Sequence, residues 1–131
     1  WNTILKDHMD LFEAPFIENS QIPELYRSAK VTLNDHWDDM REKQFVNNRI
    51  FDALACGLPV ITDTCEELRE LFPDAVLHYE TREEFDECVR RMEQDYEAIR
   101  AKVREQWPLI QEKYSFGARA EQLMEIAKEY K

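Results

Sequence analysis

The chain predicts an α/β domain: a parallel sheet of about four strands flanked by helices, followed by a long helical C-terminal region. Three observations lead there. Short apolar segments alternate with helix-like segments through the first 80 residues, the order that parallel strands with crossover helices require. The stretch "QFVNNRIFDALACGLPVITD" (44–63) joins a polar-capped helix to a strand apolar enough to be buried on both faces. From residue 81 strand patterns stop, and Phe85, Val89, Met92, Tyr96, Ile99 and Val103 recur at steps of four and three. The change near residue 80 reads as a change of layer, so 1–131 is taken as one domain with 81–131 packed on it.

Taken in order, "DLFEAPFIE" (10–18) holds a strand or extended connection ending near Pro15 to Ile17. "IPELYRSA" (22–29) opens with a proline suited to a first helical turn. "KVTLND" (30–35) alternates Val31 and Leu33 with polar residues and predicts a strand, while "HWDDMREKQF" (36–45) is polar and irregular. A helix over 48–56 and the strand "LPVIT" (58–62) follow. "CEELRELF" (65–72) predicts a small helix with Leu68, Leu71 and Phe72 on one side, stopped by Pro73, and "AVLHY" (75–79) is the fourth strand candidate. Residues 81–130 are expected to be helical with one break, at Pro108 near Trp107. The last helix starts at Ser115, a good N-cap, and is expected to carry Leu123, Met124 and Ile126 inward.

The bulk composition narrows the function. With 28 acidic and 17 basic residues the formal charge is −11, a field that opposes nucleic-acid phosphate; an anionic small ligand would need helix ends or a few local cations. Three cysteines, Cys56, Cys65 and Cys88, cannot all pair and lack metal-ligand spacing, so reduced thiols in a cytoplasmic protein are expected. No apolar run reaches the roughly 18 residues of a membrane span, and no leader pattern opens the chain. The first residue is Trp1, which suggests a processed or excised piece.

Only two glycines occur, which argues against a complete glycine-rich phosphate loop, and one of them stands in the 44–63 joint. Gly57 falls where a helix commonly ends in a left-handed residue, and Pro59 prevents continuation. At the other end, Asn47 or Asn48 can cap the helix, with Ile50, Phe51 and Leu54 facing inward. That N-terminus offers free N–H groups and about half a positive charge, a seat for phosphate. Arg49 adds a cation. Asp52, one turn on and off the inward face, can accept two hydrogen bonds from sugar hydroxyls. Spacing alone favours a solvent-side Arg49–Asp52 ion pair.

Polar residues also end the strands: Asn34 and Asp35 after one, Thr62, Asp63 and Thr64 after the other. Ligands of open parallel sheets gather at such carboxyl ends. His36 reads as an exposed loop residue, His78 as a satisfied strand residue, and Trp37 as either a stacking platform or a packing residue.

"IPELYRSAKVTLN", "NNRIFDALACGLPVIT" and "EELRELF" together resemble the nucleotide-sugar-binding half of GT-B glycosyltransferases of group 1, in particular spore-maturation-protein-like members. "YSFGARAEQL" is similar to the closing helix of that Rossmann-like domain. The likeness covers about residues 15 to 130, and "FDALACGLPVIT" is its most specific part. It implies metal-independent transfer of a sugar from a nucleotide-sugar, which is a substrate and not a cofactor. It places the ribose-contacting acid on Asp52 and the diphosphate-facing amides near Asn47, Asn48 and Arg49, and so reverses the preference for a plain ion pair; Thr62, at the carboxyl end of its strand, is a further candidate for substrate contact. It also implies that the first strands of the half and an N-terminal acceptor domain lie outside this chain, leaving the 131 residues weakly binding and inactive alone.

Two features depart from that family. The acid that many relatives carry eight positions before Asp52 is here Gln44, with Glu42 two residues out of register, and Thr64 and Cys65 stand where glycines are usual. Two other readings stay open: a non-catalytic scaffold or interaction module on the same fold, and a receiver-like domain accepting phosphate on Asp35 or Asp63.

Overall fold

The computed structural model describes residues 16–130 together with Asp7 and Asp10. Three parallel strands lie side by side in chain order, β1 (Thr32–Asn34), β2 (Val60–Asp63) and β3 (Val76–Tyr79). Leu33 pairs with Ile61 and Ile61 with Leu77, while Asn34, Thr62 and His78 form the next row but one residue along. The strand or extended connection expected over 10–18 lies mostly outside the described residues, and its described end, Phe16–Glu18, is irregular. The sheet therefore has three strands among the described residues. β2 is buried along its whole length, as an apolar run between two neighbours requires.

Successive strand side chains point to opposite faces, and each face has its own helical cover. α3 (Asn48–Ala55) and α4 (Glu66–Leu71) close one face, where Ile50, Leu54, Leu68 and Phe72 pack with Val60 and Val76. α5 (Arg82–Gln94) covers the other, setting Cys88 and Met92 against Ile61 and Leu77. α6 (Tyr96–Glu105) gives Ile99 to the second cluster and Val103 to the first, and so crosses between layers. Each such aliphatic side chain taken fully from water is worth roughly 1.5–3 kcal/mol.

The remaining elements depart from expectation in instructive ways. α1 (Ile22–Ser28) has Pro23 at its start, as predicted. The irregular segment after β1 contains a short helix, α2 (Asp38–Glu42). The C-terminal run breaks at three places instead of one. Asp95 separates α5 from α6, Gln106 precedes α7 (Trp107–Leu109), and a π turn over Ile110–Tyr114 leads to Ser115 and α8 (Phe116–Glu129). Pro108 sits inside the first turn of α7, where its missing N–H costs nothing. Ser115 caps α8 by accepting from the Ala118 N–H at 3.2 Å. Leu123, Met124 and Ile126 do not turn inward; they are 68%, 63% and 52% exposed, because α8 packs chiefly on the π turn before it and not on the sheet. No helix among the described residues is long and apolar enough to cross a membrane.

Candidate functional site beside the first turn of α3

α3 is held at both ends. Its N-cap is Asn47, whose side-chain oxygen accepts from the Arg49 N–H at 3.0 Å. At its other end Gly57 adopts φ +77°, the left-handed conformation anticipated for it. There the Leu58 N–H reaches Ala53 O and the Gly57 N–H reaches Leu54 O, both at 3.0 Å, the paired bonds of a Schellman motif. The Trp107 indole N–H adds a bond to Leu54 O at 3.2 Å, tying the C-terminal segment to the same helix end.

The tip of α3 is less open than an isolated helix end. Besides the capped Arg49 N–H, the Asn47 N–H points to His36 Nε2 at 3.4 Å and the Ile50 N–H to Asn47 O at 3.1 Å. Among the described residues the Asn48 N–H is the first-turn donor without a partner. Arg49 and Asp52 are both exposed, and no ion pair joins them. The spacing-based pairing is therefore absent, and both side chains face solvent.

Below this tip runs a buried polar network. His36 is buried, contrary to its reading as an exposed loop residue, and its Nδ1–H donates to Asp63 Oδ1 at 2.6 Å. Since Nε2 faces an N–H donor and Nδ1 a carboxylate, the ring is the neutral tautomer with its proton on Nδ1. Asp63 Oδ1 also accepts from the His36 N–H and the Thr62 hydroxyl, both at 3.2 Å, while Oδ2 accepts from Arg41 Nε at 3.0 Å. Arg41 in turn donates to His36 O at 3.2 Å. Asp63 thus pins the β1–α3 connection to the end of β2. Buried and bonded through both oxygens to its own chain, Asp63 has a structural role in place of the phosphate-accepting one of the receiver-like reading.

Thr62 belongs to this network and not to the rim. It is fully buried, accepts from Asn34 Nδ2 at 3.1 Å and donates to Asp63, so its predicted ligand contact is replaced by a structural one. His78, on the same row, has no protein partner for either ring nitrogen among the described residues and so is not the satisfied residue expected. Burial, followed by the Arg69 guanidinium, lowers its pKa to about 4. Trp37 is 78% exposed.

A cleft of about 370 Å³ opens along the outer side of α3, between the residue 43–46 loop, α4 and the start of α8. Asn48 and Asp52 line it, with Lys43, Gln44, Tyr114 and Arg119. Asp52 also influences α1: burial first, then this carboxylate, raises the Tyr26 hydroxyl pKa. Gln44, at the position of the absent motif acid, is left-handed at φ 54°, a conformation that costs a non-glycine residue about 1–2 kcal/mol. Its Oε1 accepts from the Glu66 N–H at 3.0 Å and its Nε2 donates to Arg41 O at 3.0 Å. Gln44 thus caps α4, whose own N-cap residue Cys65 makes no capping bond. Glu42 is exposed at the end of α2 and lines no part of the cleft.

Asn47, Asn48, Arg49 and Asp52 are thus gathered at one exposed corner, and Thr62 is separated from them. The His36–Asp63–Arg41 network and Arg119 escaped sequence reasoning. The first is assembled across 22 to 27 residues of chain. The second is set by the π turn, which lays Tyr114 on Phe51 with ring centroids 5.0 Å apart. The profile of a family described as "Glycosyl transferase-like" matches residues 6–125. No curated protein and no solved structure matches the chain.

Proposed function

We propose that this chain, which belongs to the glycosyl transferase-like family, holds the nucleoside-diphosphate end of an activated sugar in the cleft beside α3. The carrying observation is that Asp52 stands exposed on the cleft wall one helical turn from Asn48. An ionised carboxylate there can accept from both hydroxyls of a ribose, a charge-assisted pair worth more than neutral bonds. The Asn48 N–H and the exposed Arg49 guanidinium supply donors for phosphate oxygens near the positive end of the α3 dipole. Transfer then needs the diphosphate to leave with its growing charge stabilised, and donors aimed at those oxygens lower that barrier. The acceptor and the rest of the catalytic apparatus belong, in this reading, to a domain beyond these residues, and the chain alone binds weakly without turnover.

The test is a titration of the isotopically labelled chain with UDP, GDP and ADP to millimolar concentration. Shifts in the amide signals of Asn48, Arg49 and Asp52 are expected with at least one of them. If none of the three nucleotides moves these signals, the donor-site reading fails. A non-catalytic scaffold is the second reading, favoured by the engagement of Gln44 as a cap for α4. It requires that Asp52→Ala in the whole protein leave sugar transfer intact, whereas the donor reading requires transfer to collapse.

A further inference from the structure

We infer that the cleft beside α3 takes its anion on the Lys43 and Arg119 side, with Arg119 on the C-terminal helix as the principal counter-ion of a diphosphate. The inference rests on the donor-site reading and adds a binding residue to it.

Five arginines, Arg49, Arg91, Arg100, Arg104 and Arg119, have no carboxylate within 4.0 Å among the described residues, and of these five Arg119 lines the cleft. Seven other basic side chains, among them Arg27, Arg90 and Lys128, sit within 4.0 Å of a carboxylate. Neither Arg119 nor Lys43 has such a carboxylate among the described residues, yet both line the one cleft.

Arg119 is nonetheless fixed in place. Its guanidinium carbon lies 4.9 Å from the centroid of the Tyr114 ring, and its Nη1 donates to Gln122 Oε1 at 2.8 Å. Tyr114 is in turn stacked on Phe51, the residue before Asp52. A continuous pile, Phe51–Tyr114–Arg119, therefore carries the cation from α8 to the flank of α3. Stacking leaves the edges of the guanidinium plane free to donate, and the ordering entropy of the long side chain is largely spent before any ligand arrives.

The chemistry of the walls selects the ligand class. Asp52 and Glu67 place two carboxylates on the cleft, which repel an anion and suit hydroxyl groups. Lys43 and Arg119 supply two positive charges, matching the charge of a diphosphate diester. A compound carrying both hydroxyls and a diphosphate satisfies both parts, whereas a bare sugar leaves the cations unused. Supplying cations from the C-terminal helix also answers the scarcity of positive charge near the tip of α3, where most first-turn N–H groups are already engaged.

The experiment compares the 131-residue chain with Arg119→Gln, Arg119→Lys and Lys128→Gln, each titrated with inorganic pyrophosphate, UDP and uridine. Arg119→Gln is expected to weaken pyrophosphate and UDP about tenfold, the loss of one hydrogen bond to a charged group, and to leave uridine unchanged. Arg119→Lys is expected to recover part of the affinity, since charge is kept and the planar stack is lost. Lys128→Gln, at the far end of α8, is expected to match the unaltered chain at matched ionic strength. Equal affinity of Arg119→Gln and the unaltered chain for pyrophosphate, with UDP still shifting Asn48 and Asp52, overturns the inference and leaves the donor reading standing. Absence of any response to UDP in the unaltered chain overturns both. A loss in Arg119→Gln that extends equally to uridine also overturns it, because the residue would then shape the pocket and not its charge.

Discussion

Helices α3 and α8 start from the same kind of device, a side-chain cap on Asn47 or Ser115, and both turn their first residues to one cleft. Yet α3 buries Ile50, Ala53 and Leu54, while none of the residues of α8 is buried. Caps and propensity can begin a helix, but they cannot say what it packs on. α3 is placed by the sheet, because it lies on the connection between the paired strands β1 and β2, and that connection has to cross one face. Among the described residues no strand follows α8 and a π turn precedes it, and its apolar residues stay off the core. The cleft combines the two, with a packed wall from α3 and a cation from α8.

The same substitution on the two helices gives the sharpest contrast. Leu54→Ala removes a fully buried side chain among Ile50, Leu68 and Phe72 and is expected to cost about 2–5 kcal/mol in urea unfolding. A loss below about 1 kcal/mol would mean that α3 is not the packed wall described. Gly57→Ala is expected to cost about 1–2 kcal/mol, because φ +77° is disfavoured for any residue with a Cβ. The new methyl would lie 3.5 Å from the Trp107 ring, an ordinary contact, so backbone strain and not a clash accounts for the loss. It is read from the same unfolding curves.

Acidification probes the polar row under α3. The folded-state pKa of His78 is lowered to about 4 from an ordinary value of 6.5, so the unfolded chain binds the extra proton between those limits. The stability held by the neutral ring is complete above pH 6.5 and is lost as pH falls towards 4. The effect is expected to be smaller than the two above, since the ring is only partly buried and solvent screens it. Measured from pH 7 to pH 4, the unfolding midpoint of the chain should fall relative to that of His78→Leu as the pH drops. Parallel curves would show that His78 contributes nothing to that slope. The smallest effect is reserved for α8. Leu123→Ala is expected to change stability by less than about 0.5 kcal/mol, since that side chain is already 68% exposed. A larger loss would place a partner or a second copy on that helix.

Much of this arrangement is legible in residues 44–63. The Asn47 cap, the left-handed Gly57, the buried run of β2 and the outward Asp52 follow from local rules of spacing and backbone conformation, and the structure keeps each of them. The corner formed by Asn47, Asn48, Arg49 and Asp52 is legible for the same reason, since one helical turn sets it. Thr62 and His36 were misplaced because their burial depends on residues distant in sequence. Asn34 reaches Thr62 from another strand, and Asp63 draws the ring of His36 inward. The first of the three breaks after residue 94 was hidden by a stripe that continues through it, since α5 and α6 keep similar inward faces across Asp95.

By itself, then, the chain determined most element types, the cap and stop of α3 and the residues of its exposed corner, because these depend on interactions within a few residues. Only the tertiary structure decided that Gln44 caps α4, that Asp63 is a tie and that Arg119 lines the same cleft as Asp52. Each of those requires groups far apart in the chain to meet. Such meetings are settled by which surfaces the core leaves free, a property of the whole packing and of no single segment.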